Sequence, residues 1–232
     1  MRLSNVDYLH WRDCRHNAWW RLYAPDVYYT RPQSAFDRSL VDAGIEVSAL
    51  ARRLFADGIA AARVAQRAAV LFQPAFATDT MVVTPDILAW NGAAYDLYVV
   101  TASTGGDDKS AKDDRHAHDL GFQAHALGSL CVPLGQLLLM RLNRDYVRRG
   151  ELELEQLFTR EDFTERVKVL LREIAIEVRA AHADLAQAAP LVGPCGCMFK
   201  GGRWRVLSPI DPGPSAVRSV SATSPSARLS AT

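Results

Sequence analysis

No stretch of this sequence stays apolar for anything near the ~20 residues that a membrane-spanning helix needs; runs such as Ile87–Trp90 and Leu137–Met140 stop after four. No basic segment followed by an apolar one opens the N-terminus, so no secretory signal is written there. The expectation is a soluble, cytoplasmic protein with no membrane partner. Cysteine is scarce as well. Cys14, Cys131, Cys195 and Cys197 are too few and too scattered for the disulfide framework of a secreted domain, and they read as reduced thiols or metal ligands. Net charge is nearly absent, at +1, but it is unevenly spread. Lys200, Arg203, Arg205, Arg218 and Arg228 face only Asp211 in residues 198–232, which makes that segment +4 and leaves −3 on residues 1–197. A body of that sign excludes a wholesale basic, non-specific nucleic-acid binder, so any such contact needs a local patch. No internal repeat is visible.

What the sequence does contain is an ordinary globular composition, 49% apolar and 23% charged over 232 residues, enough for one well-buried domain or two small ones. Ser4 with Asp7 three residues on predicts the cap of a first helix that carries Tyr8, Leu9, Trp11, Trp19, Trp20 and Leu22 and stops before Pro25. Leu40, Val41, Ile45, Val47, Leu50, Ala51 and Leu54 recur near helical spacing between Phe36 and Phe55, and Asp57-Gly58 ends that run. An Ala-rich helix is expected from Ile59 to about Phe72, closed by Pro74. Met81-Val82-Val83 and Ile87–Trp90 then read as short strands, and Asn91-Gly92 predicts a tight two-residue hairpin into a strand from Tyr95 to Val100.

Residues 104–115 are polar and rich in Gly, Asp and Lys, which marks a loop before a helix from His116 to Leu130. Gly135–Leu142 is apolar enough for a buried strand. Asp162-Phe163-Thr164 starts a long amphipathic helix to about Ala188, with Val167, Leu170, Leu171, Ile174, Val178 and Ala181 on one side. The order of elements predicts an α/β domain, residues 1–197, with a mixed central sheet flanked by helices. Residues 198–232 turn to Pro, Ser, Gly and Arg and predict a low-complexity, disordered C-terminal tail.

Four segments taken together carry a family likeness. They are Leu3–Leu9 with Cys14; Phe36-Asp37 through Gly44-Ile45-Glu46-Val47 to Leu54-Phe55; Pro85-Asp86-Ile87-Leu88 through Asp96-Leu97-Tyr98; and Leu142–Arg148. In that order they resemble the RecB-like branch of the PD-(D/E)XK nucleases, in the bacterial group related to the iron-sulfur nucleases of CRISPR adaptation. The resemblance spans residues 3–197 and implies a restriction-endonuclease-like core, DNA as partner, and Mg or Mn as cofactor. Chemistry of that family needs an aspartate at the start of one strand and, across a hairpin, an acid two residues before a lysine. The carboxylates hold a divalent ion that activates water, and the lysine offsets developing charge. Residues two apart on a strand project from one face, which explains the spacing.

Asp86 matches the first position. The second strand departs from the pattern, because Asp96-Leu97-Tyr98-Val99-Val100-Thr101 sets Val99 at the acid and Thr101 at the lysine. Valine binds no metal, and threonine has neither charge nor reach. Asp107-Asp108-Lys109 spells the missing acid-x-lysine, but in a Gly-rich loop, where it reads as a solvated charge run. The resemblance further implies Glu46 as an additional metal ligand and Gln123 as a residue that contacts nucleic acid or orients groups in the site. His116, His118 and Asp119 look like a small metal cluster, yet i and i+2 point to different helix faces, so they read as a helix start.

The relatives also hold a [4Fe-4S] cluster on four cysteines, one in the first helix and three near the end of the domain. Cys14 matches the first, while Cys195-Gly196-Cys197 has C-x-C spacing with no cysteine after it, an iron-sulfur remnant and not an intact site. Cys131 is expected to pack as a small apolar residue. Three functions follow from these residues. The first is a catalytically degenerate nuclease domain that retains nucleic-acid binding. The second is an active Mg- or Mn-dependent DNA nuclease with a relocated site using Asp86, Asp96 or Glu46. The third is a protein-interaction module, with no partner protein identifiable.

Overall fold

The computed structural model describes residues 1–28, 34–55, 58–60, 69–104 and 109–189. In chain order its elements are β1 (Leu3–Ser4), α1 (Asn5–Asp13), α2 (Arg15–Tyr23), α3 (Pro25–Tyr28), α4 (Ala35–Arg52), β2 (Gly58–Ala60), β3 (Val70–Phe72), β4 (Phe76–Ala77), β5 (Met81–Val83), β6 (Ile87–Trp90), β7 (Tyr95–Thr101), α5 (Lys109–Ser129), β8 (Leu134–Leu142), α6 (Leu154–Leu157), β9 (Phe158–Asp162) and α7 (Thr164–Leu185). Ser4 caps α1 as predicted: its Oγ accepts from the Asp7 N–H at 3.1 Å, and the Asp7 carboxylate accepts from the Ser4 N–H at 3.4 Å. Ser34 and Asp37 make the same reciprocal pair at the start of α4. The single first helix expected from the sequence is broken at Cys14, whose extended backbone, φ −164°, separates α1 from α2.

The main sheet runs β2-β3-β6-β7-β8-β9, with β2 parallel to β3, β3 and β7 antiparallel to β6, β8 parallel to β7, and β9 antiparallel to β8. A second small sheet, β1-β5-β4, sits at the N-terminal end. Helix α5 is the crossover that a parallel β7–β8 pair requires. This is the mixed α/β sheet flanked by helices that the sequence predicts.

Several local expectations are overturned. The Ala-rich helix from Ile59 to Phe72 is not formed at its ends, which are strands β2 and β3; residues 61–68 lie outside the described set. Pairing with β6 accounts for the override at Val70–Phe72, whose β-prone side chains join the ladder. The Asn91-Gly92 hairpin has a four-residue connection, because Trp90 pairs with Tyr95 and the Asn91 N–H donates to the Ala94 carbonyl at 2.9 Å. Gly92 still supplies the left-handed backbone, at φ +104°. Helix α5 starts at Lys109, within the stretch expected to be loop; Ser110, Ala111 and Lys112 are exposed, while Asp113 turns inward to Arg141. His116 and His118 lie inside α5 and do not start it.

Both faces of the sheet are covered, and β7 shows it residue by residue. Tyr95, Leu97 and Val99 join a core shared with α1, α5 and α7, while Tyr98 packs on the opposite face with Ile87, Leu138, Met140, Val47 and Ala51 under α4. On α7, Val167, Ile174, Val178 and Ala181 are buried as the pattern predicts. On α4 only Val47 and Ala51 are buried, and Leu40, Val41 and Ile45, expected in the core, are exposed. No helix among the described residues is long and apolar enough to cross a membrane.

Candidate functional site

Asp86 stands at the mouth of β6. It immediately precedes the Ile87↔Tyr98 pair, so its side chain lies beside the Val99–Val100 segment of β7. Its Oδ2 accepts the Val100 N–H at 2.8 Å, in place of a main-chain carbonyl, because β6 begins only at Ile87. Its own carbonyl accepts the Gln73 N–H at 3.1 Å. Burial pushes the Asp86 carboxyl up to about 6; the Val100 N–H opposes this, the Asp119 carboxylate pushes it further up, and the Arg52 guanidinium draws it down.

Asp119 and Gln123, one turn apart on α5, act as a unit. Asp119 Oδ1 accepts both from Gln123 Nε2 and from Asn5 Nδ2, each at 2.9 Å. Gln123 is 3% exposed, so its amide is fixed, and it orients Asp119 over the end of the sheet. Sequence reasoning singled out Gln123 but took Asp119 only as part of a histidine cluster. A half-buried asparagine-carboxylate-glutamine arrangement across α1 and α5 leaves no local spacing to read.

At the lysine position, Thr101 is half-buried and its Oγ1 accepts the Ser103 N–H at 3.2 Å. The cation on this face comes from the next strand. Arg141 is 2% exposed and donates from Nη2 to Asp113 Oδ1 at 2.7 Å, while its Nε lies 3.2 Å from Glu161 Oε1. Sequence reasoning missed this triad, because its members are 28 and 20 residues apart and a basic residue closing an apolar run reads as a strand end.

The remaining sequence candidates are dispersed. Asp96 fills a bulge: Tyr95 pairs with Leu134 and Leu97 with Leu137, and Asp96 Oδ1 accepts the Gln136 N–H at 2.8 Å and Asn91 Nδ2 at 2.9 Å. It is an anchor for the β7–β8 register. Glu46 is exposed on α4, and the α4 side chain whose charge reaches Asp86 is Arg52. Arg52 also lines an open groove of about 550 Å³ with Val41, Ile45, Gln73 and Val100. Cys14 is buried at the α1–α2 joint. Cys131 is exposed with φ +56°, and is not packed as an apolar residue. It lies in the turn that follows α5, where its backbone N–H donates to the Gly128 carbonyl at 3.0 Å and the side chain is left outside. Cys195 and Cys197 lie outside the described residues, as do Asp107 and Asp108.

The donor set on this face does not fit the two-carboxylate-plus-lysine arrangement for magnesium or manganese, because Val99 at the acid position is buried and apolar, Thr101 at the lysine position carries no charge, and the nearby Arg141 is held by Asp113 and Glu161. Four converging thiolates for an iron-sulfur cluster are likewise not assembled among the described residues. No protein-family model matches the sequence, and no curated protein matches it.

Proposed function

We propose that the chain is a nuclease-fold domain that has lost phosphodiester hydrolysis and acts by binding DNA. The observation that carries the reading is the reach of the Asp86 carboxylate from the mouth of β6 to the Val100 N–H of β7, next to Val99, with Asp119 and its partner Gln123 on α5 close by. An aspartate at a strand mouth, a hairpin, two projecting positions on the next strand and a glutamine on the helix after it are the positions that the resemblance requires. The acid and lysine that would make them hydrolytic are absent. The setting under this reading is the cytoplasm.

The test uses the full chain on single-stranded and end-bearing duplex DNA with Mg²⁺ or Mn²⁺, recording binding at several salt concentrations alongside cleavage. Expected are no cleavage above an Asp86→Asn control and binding that weakens steeply with salt, because phosphate contacts release counterions. A second reading, an active nuclease with a relocated site, draws on Asp119 as a carboxylate near Asp86. Metal-dependent cleavage abolished by Asp86→Asn or Asp119→Asn would establish it. Binding that is absent or indifferent to salt would favour a protein-interaction module.

A further inference from the structure

Between α5 and α7, three side chains from the two helices meet. One ring nitrogen of His118 and one carboxylate oxygen each of Glu173 and Glu177 all lie within 4.8 Å of one another. Glu173 and Glu177 are four residues apart on α7 and so share one face. The helices approach closely beside them. A Cβ on Gly121, one turn along α5 from His118, would stand 2.2 Å from Ile174 Cδ1, so glycine at 121 brings the imidazole within reach of α7.

His118 supplies the independent observation. It is 2% exposed, and its Nδ1 lies 2.8 Å from the Asp114 carbonyl oxygen, which can only accept. Nδ1 is therefore the donor to that carbonyl, which leaves Nε2 as the nitrogen available to ligate. That Nε2 is buried and has no hydrogen-bond partner. A backbone carbonyl fixing one imidazole nitrogen so that the other can ligate is the arrangement metal-binding histidines use. Glu177 is also held in place: the Tyr8 hydroxyl donates to its Oε2 at 2.5 Å, and Arg12 Nε lies 3.1 Å from the same oxygen and 3.3 Å from Oε1. Arg12 in turn reaches Asp114 at 3.5 Å, and Arg166 reaches Asp114 at 3.6 Å. Two carboxylates beside one close guanidinium leave uncompensated negative charge for a cation to meet.

We propose that His118, Glu173 and Glu177 form a zinc site that ties α5 to α7. One imidazole with two carboxylates suits zinc among the available divalent ions, and three protein ligands leave a fourth position for water on the exposed Glu173 side. Ligand atoms around a tetrahedral zinc stand roughly 3.4 Å apart, so rotation of the solvent-exposed Glu173 side chain closes the site without moving either helix.

The experiment strips the full chain with a chelator and titrates it with Zn²⁺ and, separately, Co²⁺. Expected are uptake of a single ion, a rise in melting temperature, and a cobalt spectrum with visible d–d bands and no strong thiolate charge-transfer band in the near ultraviolet. Glu173→Gln, at an exposed position, should fold normally and weaken binding at least about tenfold, and His118→Gln should do the same where its circular dichroism remains native. Binding should persist in a Cys195→Ser/Cys197→Ser chain and in Asp86→Asn, which separates this site from the thiols and from the DNA-binding reading. No uptake, or uptake unchanged by Glu173→Gln and abolished by the cysteine substitutions, would overturn the proposal.

Discussion

Thr101 lies directly across the β7–β8 ladder from Arg141, so a buried guanidinium stands beside the neutral side chain at the position where the nuclease pattern has lysine. The charge is not free to act on a substrate, because Asp113 and Glu161 hold it. Arg141→Met should therefore destabilise the fold by about 3–5 kcal/mol, mostly by leaving Asp113 buried without its partner. Arg141→Met with Asp113→Leu should recover much of that loss, since the apolar pair leaves no unpaired charge. Urea denaturation of the two variants measures it, and a double variant as unstable as the single one would contradict the account.

The bulge opposite Asp96 gives a second test. A Cβ on Gly135 would meet Asp96 Oδ1 at 2.4 Å and Asn91 Nδ2 at 2.7 Å, so Gly135→Ala must dislodge the carboxylate from the Gln136 N–H. The expected loss is about 1–3 kcal/mol, that of a hydrogen-bonded group left unsatisfied. In an Asp96→Ala background the same glycine substitution should cost far less, because the carboxylate it strikes is gone and the Asn91 amide, no longer held by it, is free to turn away. Equal costs in both backgrounds would show that Gly135 serves something other than Asp96.

Stability against pH isolates Asp86. Its folded carboxyl titrates at about 6, above its ordinary 3.8, so between those values the folded state holds more protons and stability falls as pH rises. His10 does the reverse: burial, with the Arg21 and Arg115 charges, lowers it from 6.5 to about 4, so its contribution is lost as pH falls through that window. The two slopes oppose each other in the wild type. Asp86→Asn keeps an acceptor for Val100 and removes one of them. The variant should match the wild type near pH 4, exceed it by about 2 kcal/mol at pH 7, and gain stability as pH rises between. Chemical denaturation at intervals across that range is the measurement, and parallel profiles for the two proteins would refute the burial of Asp86.

The legible parts of this molecule were those written in local chemistry. The Ser4–Asp7 box, the strand pattern of Tyr95–Thr101 and the apolar stripe of α7 each declare themselves within a few residues, because capping, period-2 alternation and period-3.6 burial act locally. What was hidden depends on partners far along the chain. Val70–Phe72 looks helical beside its alanines and becomes a strand only because β6 is available to pair with it. Arg141 finds Asp113, Asn5 finds Asp119, and His118 finds Glu173 and Glu177 only after α5 has been laid across the sheet. The i, i+2 spacing of His116 and His118 points them to different faces of α5, and the neighbours of His118 come from another helix.

The final prediction concerns the proposed degenerate site on β6 and β7. Val99 is 5% exposed and precedes Val100, whose N–H the Asp86 carboxylate accepts, so under the proposed reading Val99→Glu puts a second carboxylate near one that already resists ionisation. Without an ion the variant should lose about 3 kcal/mol or more, through burial of charge and like-charge repulsion. Mg²⁺ or Mn²⁺ should restore part of that loss, because two carboxylates on adjoining strands then share a cation, and the gain should disappear on adding Asp86→Asn. Thr101→Lys alone should give no such response, having no metal site to assist, and its ammonium would also crowd the Arg141 guanidinium. Only Val99→Glu with Thr101→Lys should show metal-dependent cleavage of DNA. The check is melting temperature against metal concentration for the three variants, followed by cleavage assays on the double one. A folded Val99→Glu chain whose melting temperature ignores both metals would mean that Asp86 and residue 99 do not converge on one ion, and the assignment of the degenerate site to β6 and β7 would fall with it.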